Sequence, residues 1–208
     1  MSLREMKRQR TRQALVEAAI ELFERDGYEQ TTIADIAAAA EIGTRTFFGY
    51  FATKEDLLFP ESDTRVAASL AEIAARGPDD GPAEVLLRAL HRVGDDSDDL
   101  TGRLAALRLR LIQQVPAVRG KALQMQVAAQ AEIARHLAAA FPDELDHVTS
   151  AALVGAFVGA VTGALAALLE PSMPQDPAVV RRAVQRATEV ALRPWLAHDV
   201  RRQRLQTP

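Results

Sequence analysis

The 208-residue sequence contains no cysteine. This absence excludes a disulfide framework, a zinc site with thiolate ligands, an iron–sulfur cluster and a cysteine nucleophile. Aromatic residues make up only 5% of the chain, and β-branched residues are few beside alanine and leucine. This composition favours helices over a large β-sheet.

An excess of charge of one sign is also missing, because the formal net charge is only −3. The small acidic balance argues against a basic coat over the whole surface, although a local basic patch stays compatible with it. Hydrophobic residues make up 48% and charged residues 25%, the composition of an ordinary globular protein. A chain of this length forms one domain, or one domain with a small appendage, and needs no metal to fold.

Long runs of large apolar side chains are also lacking. The basic N-terminal segment is not followed by an apolar run, so no secretory signal is expected. Residues 148–169 carry no charge and place Gly155, Gly159 and Gly163 four residues apart, but most of the stretch is small. We expect this segment to be a helix buried in a helix–helix contact of a soluble, cytoplasmic protein, and not a membrane span.

Helical periodicity runs through almost the whole sequence. Apolar spacing, capping residues, glycines and prolines together set the approximate ends of nine predicted helices. These helices cover residues 4–26, 32–40, 44–51, 54–76, 82–93, 100–114, 117–141, 143–169 and 178–202. The chain is therefore predicted to be all-α, with three short N-terminal helices followed by longer ones.

Residues 31–57 predict two short helices joined by a tight turn, with a lysine opening the next helix. This is the arrangement of a helix-turn-helix, whose second helix lies in the DNA major groove. Thr44, Arg45 and Thr46 are the side-chain types that read base edges. Thr31 or Thr32, Tyr50 and Lys54 are candidate phosphate donors on either side. Further upstream, the cations outnumber Glu5 and predict an arm that grips the DNA backbone. These cations are Arg4, Lys7, Arg8, Arg10 and Arg12.

Residues 13–59 resemble the DNA-binding signature of TetR-family transcriptional regulators. The matching residues are Thr32-Ile33, Asp35-Ile36-Ala37, Thr46-Phe47, Tyr50-Phe51 and Lys54-Glu55-Asp56-Leu57. The resemblance implies a helix-turn-helix domain over residues 1–52 and a larger helical ligand-binding and dimerisation domain over 53–208. It also implies a homodimer that binds a palindromic duplex, and most often a repressor released from DNA by a small ligand.

The sequence departs from the family pattern around the turn. Glu41 replaces a common glycine, and a positive φ there costs about 1 kcal/mol, so the turn is either strained or different in geometry. Gly43 replaces the usual serine cap, and Phe48 replaces a tyrosine and thereby loses a phosphate donor. Arg45 replaces a glycine and adds a candidate guanine reader. Gly49, expected inside a helix, reads equally well as a close approach to DNA or as a tolerated residue.

The C-terminal part is similar to an actinobacterial-type subgroup described as binding acyl-CoA-like ligands. Such a ligand needs an apolar tunnel and cations for its phosphates. The candidate lining and anchoring residues are Leu104, Leu107, Arg108, Leu111, Arg119, Met125 and Phe157, with Arg103 and Arg110 as further anchors. Each of these leucines also reads as plain core, and each arginine as part of a solvated face.

The small-residue stripe predicts a four-helix dimer interface built from the last two helices. Its candidate residues are Gly155, Gly159, Gly163, Val180, Val184, Ala187 and Ala191. Packing of the glycines within one subunit is the alternative reading of the stripe.

Two other classes of function fit the sequence less well. An enzyme is disfavoured because the sequence holds no nucleophile motif or phosphate loop, and Glu144-x-x-His147 lacks the second pair that a di-iron site needs. No catalytic residue, metal or cofactor is expected. A helical adaptor would explain the C-terminal stripes but not the Thr44-Arg45-Thr46 run; deleting the first 60 residues would spare an adaptor's partner binding.

Overall fold

A computed structural model describes residues 2–60, 62–96, 102–168 and 176–206 of the chain. These residues form helices and no strands, which confirms the all-α prediction. The α-helices are α1 Leu3–Arg25, α2 Ile33–Ala39, α3 Thr44–Phe47, α4 Ser62–Ala74, α5 Pro82–Asp96, α6 Arg103–Gln114, α7 Pro116–Ala140, α8 His147–Leu168 and α9 Pro177–Gln206. A 3-10 turn covers Glu55–Leu58. Leu100, Leu169 and the proline-containing loop 171–175 lie outside the described residues.

Several predicted helix ends differ from the observed ones: α5 ends at Asp96 and not at 93, α8 begins at His147 and not at 143, and α9 ends at Gln206 and not at 202. Two larger differences lie in the first part of the chain. The helix predicted over 54–76 is two elements, because Pro60 lacks an N–H donor and Phe59 before it leaves the helical region, with φ −129° and ψ 44°. The second short helix ends at Phe47 instead of residue 51. Gly49 therefore lies in a turn and not inside a helix, and its N–H donates to the carbonyl of Thr46.

The first compact unit comprises Met1–Pro60 and Leu107–Ala122. Its core forms where α1, α2, α3 and the 3-10 turn meet. The largest fully buried side chains of this unit are Leu15, Ile36, Phe47, Leu57, Leu58, Leu107 and Val118. The contribution of residues 107–122 comes from a distant part of the chain, and the predicted boundary after residue 52 does not include it.

The second compact unit comprises Glu61–Ala106 and Leu123–Pro208. In it α5 packs against α4 and α9, and α9 packs against α8. Arg88 forms two hydrogen bonds of 2.7 Å with Asp80 and an ion pair of 3.3 Å with the buried Glu72. The Arg88 guanidinium holds the pKa of Asp80 down, to about 2. This network ties α4 and the loop after it to α5.

Candidate functional site

The turn between α2 and α3 has the geometry of a Schellman motif. Ile42 N–H donates to the Ala37 carbonyl at 2.9 Å, and Glu41 N–H donates to the Ala38 carbonyl at 3.0 Å. Glu41 occupies the left-handed position of this motif, with φ +56°. Of the two alternatives, a strained turn or a different geometry, the structure shows the first, so the usual turn is kept at a cost in strain.

Helix α3 begins at Thr44 with Gly43 as its N-cap, in extended backbone with no side-chain hydrogen bond. The next three side chains, Thr44, Arg45 and Thr46, are all exposed, whereas Phe47 is fully buried. Phe47 thus anchors a very short helix whose polar side chains point outwards. A Cβ at Gly49 would lie 3.2 Å from the Thr46 carbonyl oxygen, so the tight turn after α3 favours glycine for its own packing.

The two threonines that precede α2 have different roles. Thr32 is the N-cap, and it forms a capping box with Asp35. Its hydroxyl donates to the Asp35 carboxylate at 2.6 Å, so donation to a phosphate would require that bond to break. Thr31 is 2% exposed, and its hydroxyl donates to the Gly27 carbonyl at 2.8 Å. The expectation of a phosphate contact through the Thr31 side chain is therefore corrected, because this side chain is internal.

Lys54 is bound within the domain. Its ammonium donates to the carbonyls of Tyr28 at 2.7 Å and Thr31 at 3.0 Å, and lies 4.0 Å from the centre of the Tyr28 ring. Tyr28 in turn donates its hydroxyl proton to Glu55 at 2.5 Å. Burial and this hydrogen bond raise the pKa of Tyr28 well above its usual value. The contacts in the structure therefore show that Lys54 stabilises the loop before α2. Its contact with a DNA phosphate stays a prediction.

The basic face of α1 divides into surface and internal residues. The Arg8 guanidinium lies 5.9 Å from the Tyr50 ring centre, next to the end of α3, while Arg4, Lys7 and Arg10 are exposed. Arg12 instead donates to the carbonyls of Tyr50 at 3.2 Å and Pro60 at 3.0 Å, and lies 4.3 Å from the Phe51 ring centre. Arg12 therefore holds the turn after α3 in place, and its assignment to a DNA-gripping arm is corrected.

The 3-10 turn Glu55–Leu58 forms two long-range contacts, which sequence spacing does not reveal. Lys121 pairs with Asp56 at 2.6 Å. Burial acts to raise the pKa of Asp56, but Lys121 and the Thr53 N–H outweigh it and lower that pKa. Arg108, which is 7% exposed, donates to the Leu58 carbonyl at 3.2 Å. The sequence shows that Lys121 and Arg108 are charged, but it does not show which distant residues they contact.

The candidate ligand-binding residues are divided between the two units. Leu107, Arg108, Leu111 and Arg119 belong to the first unit, whereas Leu104, Met125 and Phe157 belong to the second. Leu107, Leu111 and Phe157 are buried, and Leu104 and Met125 are half-buried. The Arg119 guanidinium donates to the carbonyls of Ile112 and Gln113. Arg108 and Arg119 therefore both bind backbone carbonyls, which is not the role of a phosphate anchor that the sequence suggested.

In the glycine stripe of α8, Gly159 and Gly163 are exposed and Gly155 is half-buried. In the described residues, a Cβ at Gly155, Gly159 or Gly163 would meet nothing within 4 Å, apart from the helix's own backbone. Among the described residues, no neighbour therefore packs closely against these glycines. On α9, Val180 and Val184 are 1% and 2% exposed, so their side chains are enclosed in their own subunit and do not belong to a contact surface. Ala187 and Ala191 are half-buried.

Helix α8 is, among the described residues, long and apolar enough to cross a membrane, and 22% of its most apolar window is buried. Length and composition alone do not separate such a helix from a core helix. The described part of the chain brings no three His, Asp or Glu side chains together in a way that would hold a metal ion.

Comparison with known proteins places this geometry in a family. Residues 15–59 match the family described as bacterial regulatory proteins, tetR family. The chain is 34% identical over 149 residues to the HTH-type transcriptional regulator TcmR of Streptomyces glaucescens. That match covers 69% of this chain and 66% of TcmR, so it spans slightly less than two-thirds of the relative's length.

Solved structures share the fold at low identity. A TetR-family regulator from Syntrophomonas wolfei has a TM-score of 0.64 at 17% identity, over 88% of this chain and 96% of that one. The TetR-family repressor FadR of Thermus thermophilus, in complex with lauroyl-CoA, has a TM-score of 0.56 at 20% identity, over 87% and 93%. Together with the helix-turn-helix geometry, these matches show that the chain belongs to the TetR family of bacterial transcriptional regulators.

Proposed function

We propose that this protein binds a palindromic DNA operator as a homodimer and represses transcription until a small apolar or amphipathic molecule releases it. The observation that carries the proposal is the exposed run Thr44-Arg45-Thr46 on a helix held by the fully buried Phe47. A planar cation beside two hydroxyls matches the donor and acceptor pattern of base edges in the major groove. Because Phe47 and the turn fix α3, these side chains are presented without a large loss of backbone entropy.

Phosphate contacts flank this reading helix. Arg8 beside Tyr50 supplies a cation and a phenol next to the end of α3, and Arg4, Lys7 and Arg10 extend the positive surface along α1. Contacts of this kind set the orientation on DNA and carry no sequence information. They also make affinity fall with salt, because each neutralised phosphate releases counterions.

The open glycine face of α8 supports assembly into a homodimer. Glycine lowers helix stability by about 1 kcal/mol relative to alanine, and among the residues that the structure describes no side chain packs against these three glycines. Close approach of a second helix does account for them, and a two-fold dimer matches a palindromic duplex. On α9, which packs against α8, the half-buried Ala187 and Ala191 stay candidates for the same interface.

An acyl-CoA is the specific effector we propose. The subgroup resemblance of the C-terminal part supports it, and so does the fold shared with FadR, which was solved with lauroyl-CoA. The acyl chain would lie against apolar residues of the second unit, among them Leu104, Met125 and Phe157. Localisation in the cytoplasm follows from a function on DNA.

The test begins with selection of bound sequences from random duplex DNA by the full-length protein, with Arg45→Ala as a matched variant. We expect the wild-type protein to select a two-fold symmetric consensus sequence. The Arg45→Ala protein should select the same sequence, but with a weaker preference at one base pair of each half-site. The selected duplex is then titrated with lauroyl-CoA, free CoA and lauric acid. Release by lauroyl-CoA alone supports the effector; no enrichment of any sequence contradicts the DNA-binding proposal itself.

A further inference from the structure

Phe48 is an exposed aromatic residue at the end of the reading helix. It is 55% exposed, and its ring meets the buried Phe47 edge-on, with centroids 5.5 Å apart and planes at 85°. Its backbone is helical, with φ −66° and ψ −11°, and its N–H donates to the Thr46 carbonyl. The ring is therefore held in one place by a rigid neighbour while about half of its surface faces outwards.

Cationic and hydroxyl side chains lie close to Phe48 along the chain. Thr44 and Arg45 lie four and three residues earlier on α3, so all three side chains share one side of the helix. The Arg8 guanidinium and the Tyr50 ring lie just beyond the end of α3. The surface is thus positively charged with one apolar ring in it, and charge complementarity selects a polyanion as its partner.

The side chain of Phe48 has no hydrogen-bond donor or acceptor, so its ring cannot pair with a phosphate or with a polar base edge. Covering such groups with the ring would cost free energy, because they would lose water without gaining a partner. In the major groove, the apolar feature that distinguishes one base from the others is the C5-methyl group of thymine.

We propose that Phe48, together with the methyl group of Thr44, reads the C5-methyl group of a thymine next to the base pair contacted by Arg45. This inference rests on the proposed function and deepens it by naming a base and the atom that is read. Phe48 stands where the family pattern has a tyrosine, so the phosphate contact of the tyrosine hydroxyl is lost. In this proposal an apolar contact with one base takes its place.

The experiment replaces single thymines of the selected operator by deoxyuridine, which removes the methyl group and leaves every hydrogen bond of the base pair unchanged. Affinity is measured by fluorescence anisotropy. We expect one thymine in each half-site whose replacement weakens wild-type binding about fourfold, the effect of exposing one methyl-sized group. With Phe48→Ser, the same replacement should have a much smaller effect, because only the Thr44 methyl group then remains to contact the thymine, and with Phe48→Leu the effect should return in part.

Leu123→Ala is the matched control, because Leu123 is 60% exposed and lies on α7, away from α3 in the sequence. This variant should keep both the affinity and the response to deoxyuridine. The inference is overturned if every thymine can be replaced without loss in the wild type, or if the loss persists undiminished in Phe48→Ser. If no duplex binds specifically, the proposed function fails and this inference fails with it; specific binding without a methyl response defeats this inference alone.

Discussion

Replacing Glu41 by glycine should stabilise the protein. A non-glycine residue in the left-handed region costs about 1–2 kcal/mol, and Glu41 has a φ of +56°. Glycine in its place loses about 0.5–1 kcal/mol more backbone entropy on folding. The difference is a gain of about 0.5–1 kcal/mol in the free energy of unfolding of the DNA-binding unit.

Urea denaturation followed by circular dichroism measures this gain. With a slope of about 1–3 kcal/mol per molar urea, the midpoint of Glu41→Gly should rise by about 0.2–1 M at an unchanged slope. Glu41→Ala is the control, because it removes the charge at the end of α2 but keeps the Cβ atom and hence the strain.

Gly27→Ala is the opposite control. Gly27 has a φ of +91°, so the substitution introduces the strain that Glu41→Gly removes, and it should lower the midpoint. A Glu41→Gly protein no more stable than wild type would refute the reasoning about backbone strain. Equal gains from glycine and alanine at this position would assign the effect to charge instead.

Three further predictions follow from the second unit and the loop before α2. Gly159→Leu should keep the subunit folded, because its Cβ meets no described neighbour, but should shift sedimentation towards monomer; a wild-type dimer would remove the glycines from the interface. Asp80→Asn should cost about 1 kcal/mol at pH 7, a value reduced by the exposure of Arg88. Because the folded pKa of Asp80 is lowered to about 2, this stabilisation is present above pH 4 and should disappear as the pH falls to 2; a cost independent of pH would contradict the ion pair. Lys54→Met should lower the free energy of unfolding by about 1–3 kcal/mol, because it removes a charged donor from two carbonyls. If Lys54 acts only on phosphates, stability will be unchanged and the salt dependence of DNA binding alone will become shallower.

Local rules predicted much of the DNA-binding unit. The apolar spacing that placed Leu15 and Ile36 inwards is confirmed, because both are fully buried. The Gly43 cap is confirmed as well, and at Glu41 the strained turn is observed and not the alternative of a different geometry; both features depend on backbone geometry within a few residues. The prediction of one helix across Pro60 is wrong, because the N–H donor that proline lacks outweighs the helical pattern on either side of it.

The roles of the cations were harder to predict, because they depend on residues far away in the sequence. Arg12 looks like a member of a basic arm, yet its guanidinium binds the carbonyl of Pro60, 48 residues later. Arg108 likewise binds the Leu58 carbonyl, 50 residues earlier. Sequence spacing identifies helix neighbours, and it contains no information on which distant carbonyl faces a given guanidinium.

The most direct test of the account is the ratio of affinities for the selected operator and for a duplex of scrambled sequence, measured at one salt concentration for wild type and Arg45→Ala. A guanidinium that reads a base contributes about 1–3 kcal/mol of discrimination. The account predicts that Arg45→Ala lowers this ratio about 5- to 100-fold per half-site and leaves the affinity for the scrambled duplex nearly unchanged. If Arg45→Ala lowers the affinity for both duplexes by the same factor, so that their ratio is unchanged, the central claim that α3 reads bases is contradicted.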